Sequence, residues 1–378
     1  MTSKQRNLIL AIAAIALALV VMAFARPVLG QFWFGMFILS GIFVILALGL
    51  NLINGFTGLF SLGHAGFMAV GAYTVAICTL PPDAKKQNFF LEPMNPILFA
   101  IQTPFWVALI LATLMAGLLA WLIAIPALRL RDDYLAIATL GFGEIIRVVF
   151  SNTQSITNGA QGLIRIPTET SVWWSWGVAL LMIVFMVRLV GSSFGRSLKA
   201  IREDEVAAEA MGINLYRTKI TSFVIGSAMA GLGGGLLAGF LGSIDPKMFN
   251  FLYTFNIVLI IVLGGLGSIS GSVIAAVVIT FGMEWLRFLD GSMEAFGYRI
   301  SGVPGLRMVV FSALLLAVVL FWREGLMGKN ELTPEYLSKR FGRRTKVAVA
   351  SPSTTDAVVE TPTPSRSDEE LDEEANHA

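Results

Sequence analysis

Apolar residues along this chain come in long unbroken runs, without the every-other or three-to-four spacing of a half-buried soluble element. "NLILAIAAIALALVVMAF" (7–24) and "FSALLLAVVLFW" (311–322) reach, or nearly reach, the length a helix needs to cross a hydrocarbon core of about 30 Å. Runs and breakers together predict about ten such spans. They lie near 8–25, 33–50, 64–80, 105–128, 134–150, 172–190, 219–242, 252–267, 271–288 and 306–322. The fold class this predicts is all-α, a polytopic transmembrane helix bundle. Two places break the apolar pattern without leaving it, Asn51–Gly63 and Gly264–Gly271, and each reads as a turn or an intramembrane break.

Composition agrees. Hydrophobic residues make up 56% and charged residues 14% of the chain, with mean hydropathy +0.74, whereas soluble domains carry about 25% charged residues. The single cysteine, Cys78, has no intramolecular disulfide partner and reads as a packing residue. With His64 and His377 the only histidines, no metal centre and no catalytic triad can be assembled. Lys4 and Arg6 precede the first run as in a signal peptide, but Arg26 and Pro27 fall where cleavage would occur, so the run reads as a retained first helix.

Charge placement suggests a sidedness. One set of connectors holds Lys4, Arg6, Arg129, Arg131, Arg196, Lys199, Arg202, Arg217 and Lys219, and the C-terminal flank adds Arg323, Lys329, Lys339, Arg340, Arg343, Arg344 and Lys346. The opposite set holds Arg26, Lys85, Lys86, Arg165, Lys247, Arg287, Arg299 and Arg307. The first set is about twice as basic, which places it and both termini in the cytoplasm. The chain divides into a membrane domain, 1–342, with a polar loop at 196–218, and an acidic tail, 343–378, too poor in large apolar residues to fold.

The polar loop carries "AIREDEVAAEAMGINLYRTK" (200–219) between two apolar spans. Ala207, Ala208, Glu209, Ala210 and Met211 favour one short helix, and Gly212 suits a left-handed cap, with the next span starting at Lys219. A small alanine face lets another protein approach closely, and Arg202, Glu203, Asp204, Glu205 and Glu209 offer ionic contacts. A plain solvated loop is the other reading.

A second constellation is "LGLNLINGFTGLFSLGHAGFMAVGAY" (48–73), where Asn51, Asn54, Thr57, Ser61 and His64 interrupt apolar sequence. Non-helical backbone at membrane depth must be buried by protein or line a cavity, and half-helix ends suit a zwitterionic solute. These residues are candidates for a translocation path, with packing as the alternative. Glu144 with Arg147, and Glu284 with Arg287, sit one turn apart and can neutralise each other. Glu144 is also a candidate for a gate. Gly231, Gly235, Gly239, Gly267 and Gly271 have the four-residue spacing of close helix packing. Trp173, Trp174 and Trp176 read as an interfacial belt.

Ala207-Ala208, three residues, then Gly212 resembles the coupling loop of ABC importer permeases, with Val206 where that loop has Glu and Glu205 one residue earlier. The stretch 48–73, "LRLRDDYLAIATLGFGEIIRVV" (128–149), "TNGAQGL" (157–163), "GRSLKAIREDEVAAEAMGIN" (195–214) and "IVLGGLGSISGSVIAA" (261–276) together resemble the LivM-like permeases of branched-chain amino-acid ABC importers, in that family's order. The resemblance covers about residues 40 to 325. It implies a type II-like importer fold in the bacterial inner membrane, a second, LivH-like permease, two LivG/LivF-like ATPases and a periplasmic amino-acid-binding protein. ATPase coupling would then fall on Glu205, Ala207, Ala208, Glu209, Ala210 and Gly212. The chain has no phosphate-binding G-x-x-x-x-G-K-[ST] motif, since Gly328-Lys329 is followed by Asn330. ATP is therefore expected on partner subunits, and the chain itself needs no cofactor, metal, nucleic acid or catalytic residue. A urea or short-amide importer is the nearest alternative; a solitary channel or ion-coupled carrier leaves the charged loop unexplained.

Overall fold

The computed structural model describes residues 30–90, 92–130 and 132–287, with Met22 and scattered positions between 293 and 327. All of these lie in one unit, Met1–Tyr336. The expected span 8–25 apart from Met22, most of 306–322, and the tail 343–378 fall outside the described residues.

Among the described residues, five helices are long and apolar enough to cross a membrane: α1 (Gly30–Phe56), α5 (Phe105–Ala127), α6 (Asp132–Asn152, apolar from Tyr134), α8 (Val172–Gly191) and α11 (Leu215–Leu241). Three shorter apolar helices join them, α2 (His64–Thr79), α12 (Phe251–Gly264) and α13 (Ile269–Trp285). Short helices α3 (Pro82–Asn88), α4 (Pro96–Ala100) and α7 (Gln154–Thr157) follow α2, α3 and α6, while α9 (Ser193–Glu203) and α10 (Glu205–Ala210) fill the polar loop. Strands β1 (Leu163–Ile164) and β2 (Ser243–Ile244) pair antiparallel, as do β3 (Met293–Ala295) and β4 (Tyr298–Ile300).

Successive apolar helices, the three shorter ones included, alternate between two ends of the bundle. One end gathers the break after α1, the polar loop and the α12–α13 turn; the other gathers α3, α4, α7 and the β1–β2 pair. α11 is the central strut, packed along α2 and α5. Its glycines make this possible. A Cβ on Gly231 would strike Ala116, one on Gly234 would strike the Met68 carbonyl, and one on Gly235 would lie 2.7 Å from Val75. Gly239 faces Phe105 and Thr170, and Gly271 faces the backbone of Gly264. With no lipid-excluding hydrophobic effect between helices, such backbone approach is the main source of packing energy in a bilayer.

α1 does not end cleanly. Its last turn, Leu52–Phe56, is a π-helix, and the chain then runs unwound to His64. There α2 begins level with Thr139, about two turns inside α6. α12 is likewise short: the chain passes from β2 down to Phe249, beside Tyr73 midway along α2, before α12 starts.

The end bearing β1 and β2 is tied together across sequence. The Asn88 side chain donates to the Ile164 carbonyl and accepts from the Ile164 amide, at 2.9 and 2.8 Å. The buried Lys85 ammonium donates to the carbonyls of Leu98, Phe99 and Ile101. Of the expected tryptophan belt, Trp173 is exposed, while Trp174 packs edge-on against Phe105 and Trp176 stacks on Phe37.

Candidate functional site

The polar loop folds as two helices, not the single one its composition predicts. Asp204 is the reason. Its backbone is extended, and its carboxylate accepts from the amides of Val206 and Ala207 at 2.8 and 3.0 Å, so it ends α9 and starts α10. At the far end Gly212 adopts φ 83°. Its amide donates to Glu209, and that of Ile213 reaches back to Ala208, which is the paired closure of a left-handed helix cap. No heavy atom lies within 4 Å of where a Gly212 Cβ would be, so glycine is required there by backbone conformation alone. α11 starts at Leu215, four residues before the expected Lys219, because Asn214 caps it through the Arg217 amide.

Within α10 the residues divide sharply by face. Ala208 is buried against the bundle, whereas Ala207, Glu209, Ala210 and Gly212 face outward. Glu205 is held by Lys219 at 2.5 Å, fixing α10 to the start of α11. Val206 and Met211 are 79% and 83% exposed, two large apolar side chains projecting from a polar loop. In the sequence, Val206 stands where the coupling loop has Glu, and Met211 counts only as a helix former. Their role as an apolar face shows only once Asp204 has set the phase of α10.

The interrupted stretch resolves into braces. The Asn51 amide nitrogen donates to the Ser268 carbonyl and the Ser272 hydroxyl, and its oxygen accepts from the Gly267 amide. Asn54 accepts from the Ser61 amide at 3.2 Å, and Thr57 bonds the Leu52 carbonyl and the Ser222 hydroxyl. Asn51, Asn54, Thr57 and Ser61 are all buried. Their polar atoms replace the helix ladder lost where α1 unwinds, as non-helical backbone at this depth requires. His64 is buried at the start of α2, its ring beside Gly49.

Glu144 lies elsewhere. It pairs with Arg147 at 2.6 Å, both about one-third exposed. It also lines a cavity of about 10 Å³ together with Ala65 and Gly66 at the start of α2 and Phe251 and Thr254 at the start of α12. The positive ends of two short helices thus converge beside a carboxylate. The space holds about one water molecule. Glu284 and Arg287 pair at 2.7 Å. Among the described residues, no group of three or more His, Cys, Asp or Glu could hold a metal ion.

A family model described as "branched-chain amino acid transport system / permease component" matches residues 32–319. The chain is 35% identical over 294 residues to the high-affinity branched-chain amino acid transport system permease protein LivM of Escherichia coli K12, covering 68% of this chain and 65% of that one. The LivM of Salmonella typhimurium LT2 is also 35% identical, over 291 residues and 64% of its length. The match therefore spans just under two thirds of these relatives. The corresponding LivH permease of Salmonella typhimurium is 25% identical over 304 residues, covering 78% of this chain and 94% of the relative. No solved structure matches.

Proposed function

We propose a function that proceeds from family: the chain belongs to the branched-chain amino acid transport permeases and is a multi-pass membrane component. On our reading it is the membrane-spanning half of an ATP-driven importer of the bacterial inner membrane. It pairs with a second, LivH-like permease, takes its energy from two cytoplasmic ATPase subunits, and receives branched-chain or other neutral amino acids from a periplasmic binding protein. The observation that carries this is the outward face of α10. An exposed apolar pair, Val206 and Met211, beside Ala207 and Ala210 on an otherwise charged loop, suits burial against a folded partner. The basic connectors at that end support a cytoplasmic position, where an ATPase would meet it.

In operation, closure of the ATPases displaces α10, and the helices connected to it shift between outward- and inward-open arrangements. The gate centres on Glu144, where the starts of α2 and α12 meet in a space too small for solute. Separation of these two helix ends from α6 opens it, and the helix dipoles and the carboxylate then face a zwitterion. Selectivity among neutral amino acids is delegated to the binding protein.

Co-purification tests the reading. The chain and its companion permease should hold the ATPases stably in detergent. Ala208→Arg, which forces a charge beneath α10, and Gly212→Trp, which strains its cap, should both release them. Absence of any wild-type complex, or retention by both variants, would defeat the proposal. Uptake of urea or short amides in preference to leucine would move the chain to the neighbouring importer class.

A further inference from the structure

We infer that Arg202 is the positioning residue through which movement of α10 reaches the two broken spans. It lies in the last turn of α9, three residues before Glu205 opens α10. Its guanidinium leaves the loop and enters the bundle, where Nη1 donates to the Gly55 carbonyl at 2.9 Å. That carbonyl belongs to the π-turn Leu52–Phe56, the point at which α1 unwinds. Nη2 remains outside, paired with Glu203 at 2.7 Å.

Two glycines form the sleeve around this side chain. A Cβ on Gly58 would lie 3.0 Å from the Arg202 Cγ, and one on Gly267 would lie 2.6 Å from Nη1. Both have positive φ, 81° and 83°, so both positions favour glycine for conformation as well as space. Gly58 sits in the unwound segment after α1; Gly267 sits in the turn between α12 and α13. Arg202 therefore touches both interruptions at once. Asn51 binds those same interruptions to each other through Gly267, Ser268 and Ser272. A second contact runs in parallel, the Lys199 ammonium lying 6.0 Å from the Phe56 ring centre.

Seen as a load path, the geometry is short. A displacement of α10 moves Asp204 and the end of α9, and the rigid planar fork of Arg202 carries it to Gly55 and Gly267. Only a few hydrogen bonds replace the helix ladder there, so this is where the spans yield most readily. The unwound segment leads into the start of α2, and the Gly267 turn closes the far end of α12, the helix whose start meets that of α2 beside Glu144. Simple capping of a helix end is the competing role, since an arginine can satisfy a terminal carbonyl without transmitting anything.

This inference rests on the importer reading, and one experiment separates their failures. The complete transporter is reconstituted in liposomes, and ATP hydrolysis and leucine uptake are measured in the same vesicles. With Arg202→Ala, the complex should assemble and hydrolyse ATP, while leucine moved per ATP falls by about tenfold. Arg202→Lys keeps one donor for Gly55 but not the planar fork; it should assemble fully and give an intermediate ratio. A pure cap would lower assembly or stability and leave the ratio of surviving complexes unchanged. An unchanged ratio in Arg202→Ala overturns the inference; if that variant does not assemble, an unchanged ratio in Arg202→Lys does so. A wild-type chain that binds no ATPase would instead overturn the importer reading.

Discussion

Asn51 and Gly267 are joined by a hydrogen bond of 2.9 Å from the Gly267 amide to the Asn51 side chain, although 216 residues separate them. With the bonds from Asn51 to Ser268 and Ser272, this makes one buried amide the fastener of both interrupted spans. Asn51→Leu keeps the volume and removes every bond from this side chain, leaving the Gly267 amide unpaired, while the Ser268 carbonyl keeps the Ser272 hydroxyl and amide. The expected cost is about 1–3 kcal/mol, read as a lowered thermal midpoint in detergent. Asn51→Asp, which keeps the acceptor for Gly267, should lose less if the carboxyl is protonated at low pH, and more at neutral pH.

Close packing along α11 gives a second prediction with an internal control. Gly231→Leu drives a side chain into Ala116 and the Ala112 carbonyl, an overpacking that should cost at least about 3 kcal/mol and reduce folded yield. Gly177→Ala in α8 meets nothing within 4 Å. It should leave the melting temperature unchanged or slightly raised. Equal losses at the two positions would show that these glycines serve something other than helix contact.

Lys85 gives a pH dependence. Burial holds its ammonium below the usual lysine range. The folded chain therefore gives up this proton at a lower pH than the unfolded chain, and between the two values the unfolded state binds more protons. Stability should rise with pH across that alkaline window. Lys85→Met should abolish the rise. At neutral pH the same substitution strands the Phe99 and Ile101 carbonyls, while that of Leu98 keeps the Ile101 amide, so it should also lower stability by about 2 kcal/mol. Unfolding followed by denaturant at several alkaline pH values checks both.

The spans were legible in the sequence because a bilayer imposes one demand, some eighteen or more consecutive apolar residues. Eight described apolar helices overlap expected spans; α1 runs six residues past its expected end, and α2, α12 and α13 are shorter than that length. What could not be read were features fixed by partners distant in the chain. Asn51, Asn54, Thr57 and Ser61 look alike as polar interruptions of an apolar run, and only the fold shows their atoms engaged on Ser268, Ser61, Leu52 and Ser222. The break at Asp204 is local and was readable in principle. An Asp followed by Glu and alanines is a helix start, but the strong helix propensity on both sides hid it. The outward phase of Val206 and Met211 followed from that break, so it was missed with it. Pairing of β1 with β2 joins residues about eighty positions apart across two-residue strands, too short to leave a pattern.

The α10 face supplies a further prediction. Val206→Arg and Met211→Glu alter side chains that are 79% and 83% exposed, so the permease should fold and melt as the wild type does. ATPase binding should weaken by at least about thirtyfold for the pair, in keeping with loss of central apolar contacts. Titration of labelled ATPase against detergent-solubilised permease reads both the affinity and, from the unbound fraction, the integrity of the chain.

The most direct test of the account is leucine uptake into proteoliposomes containing this chain, its companion permease, both ATPases and the binding protein. ATP supplied on the ATPase side should drive accumulation of leucine, isoleucine and valine against a gradient, only in the presence of the binding protein, and without help from an ion gradient. Uptake that persists without ATPases, or that follows a proton or sodium gradient, would contradict the account.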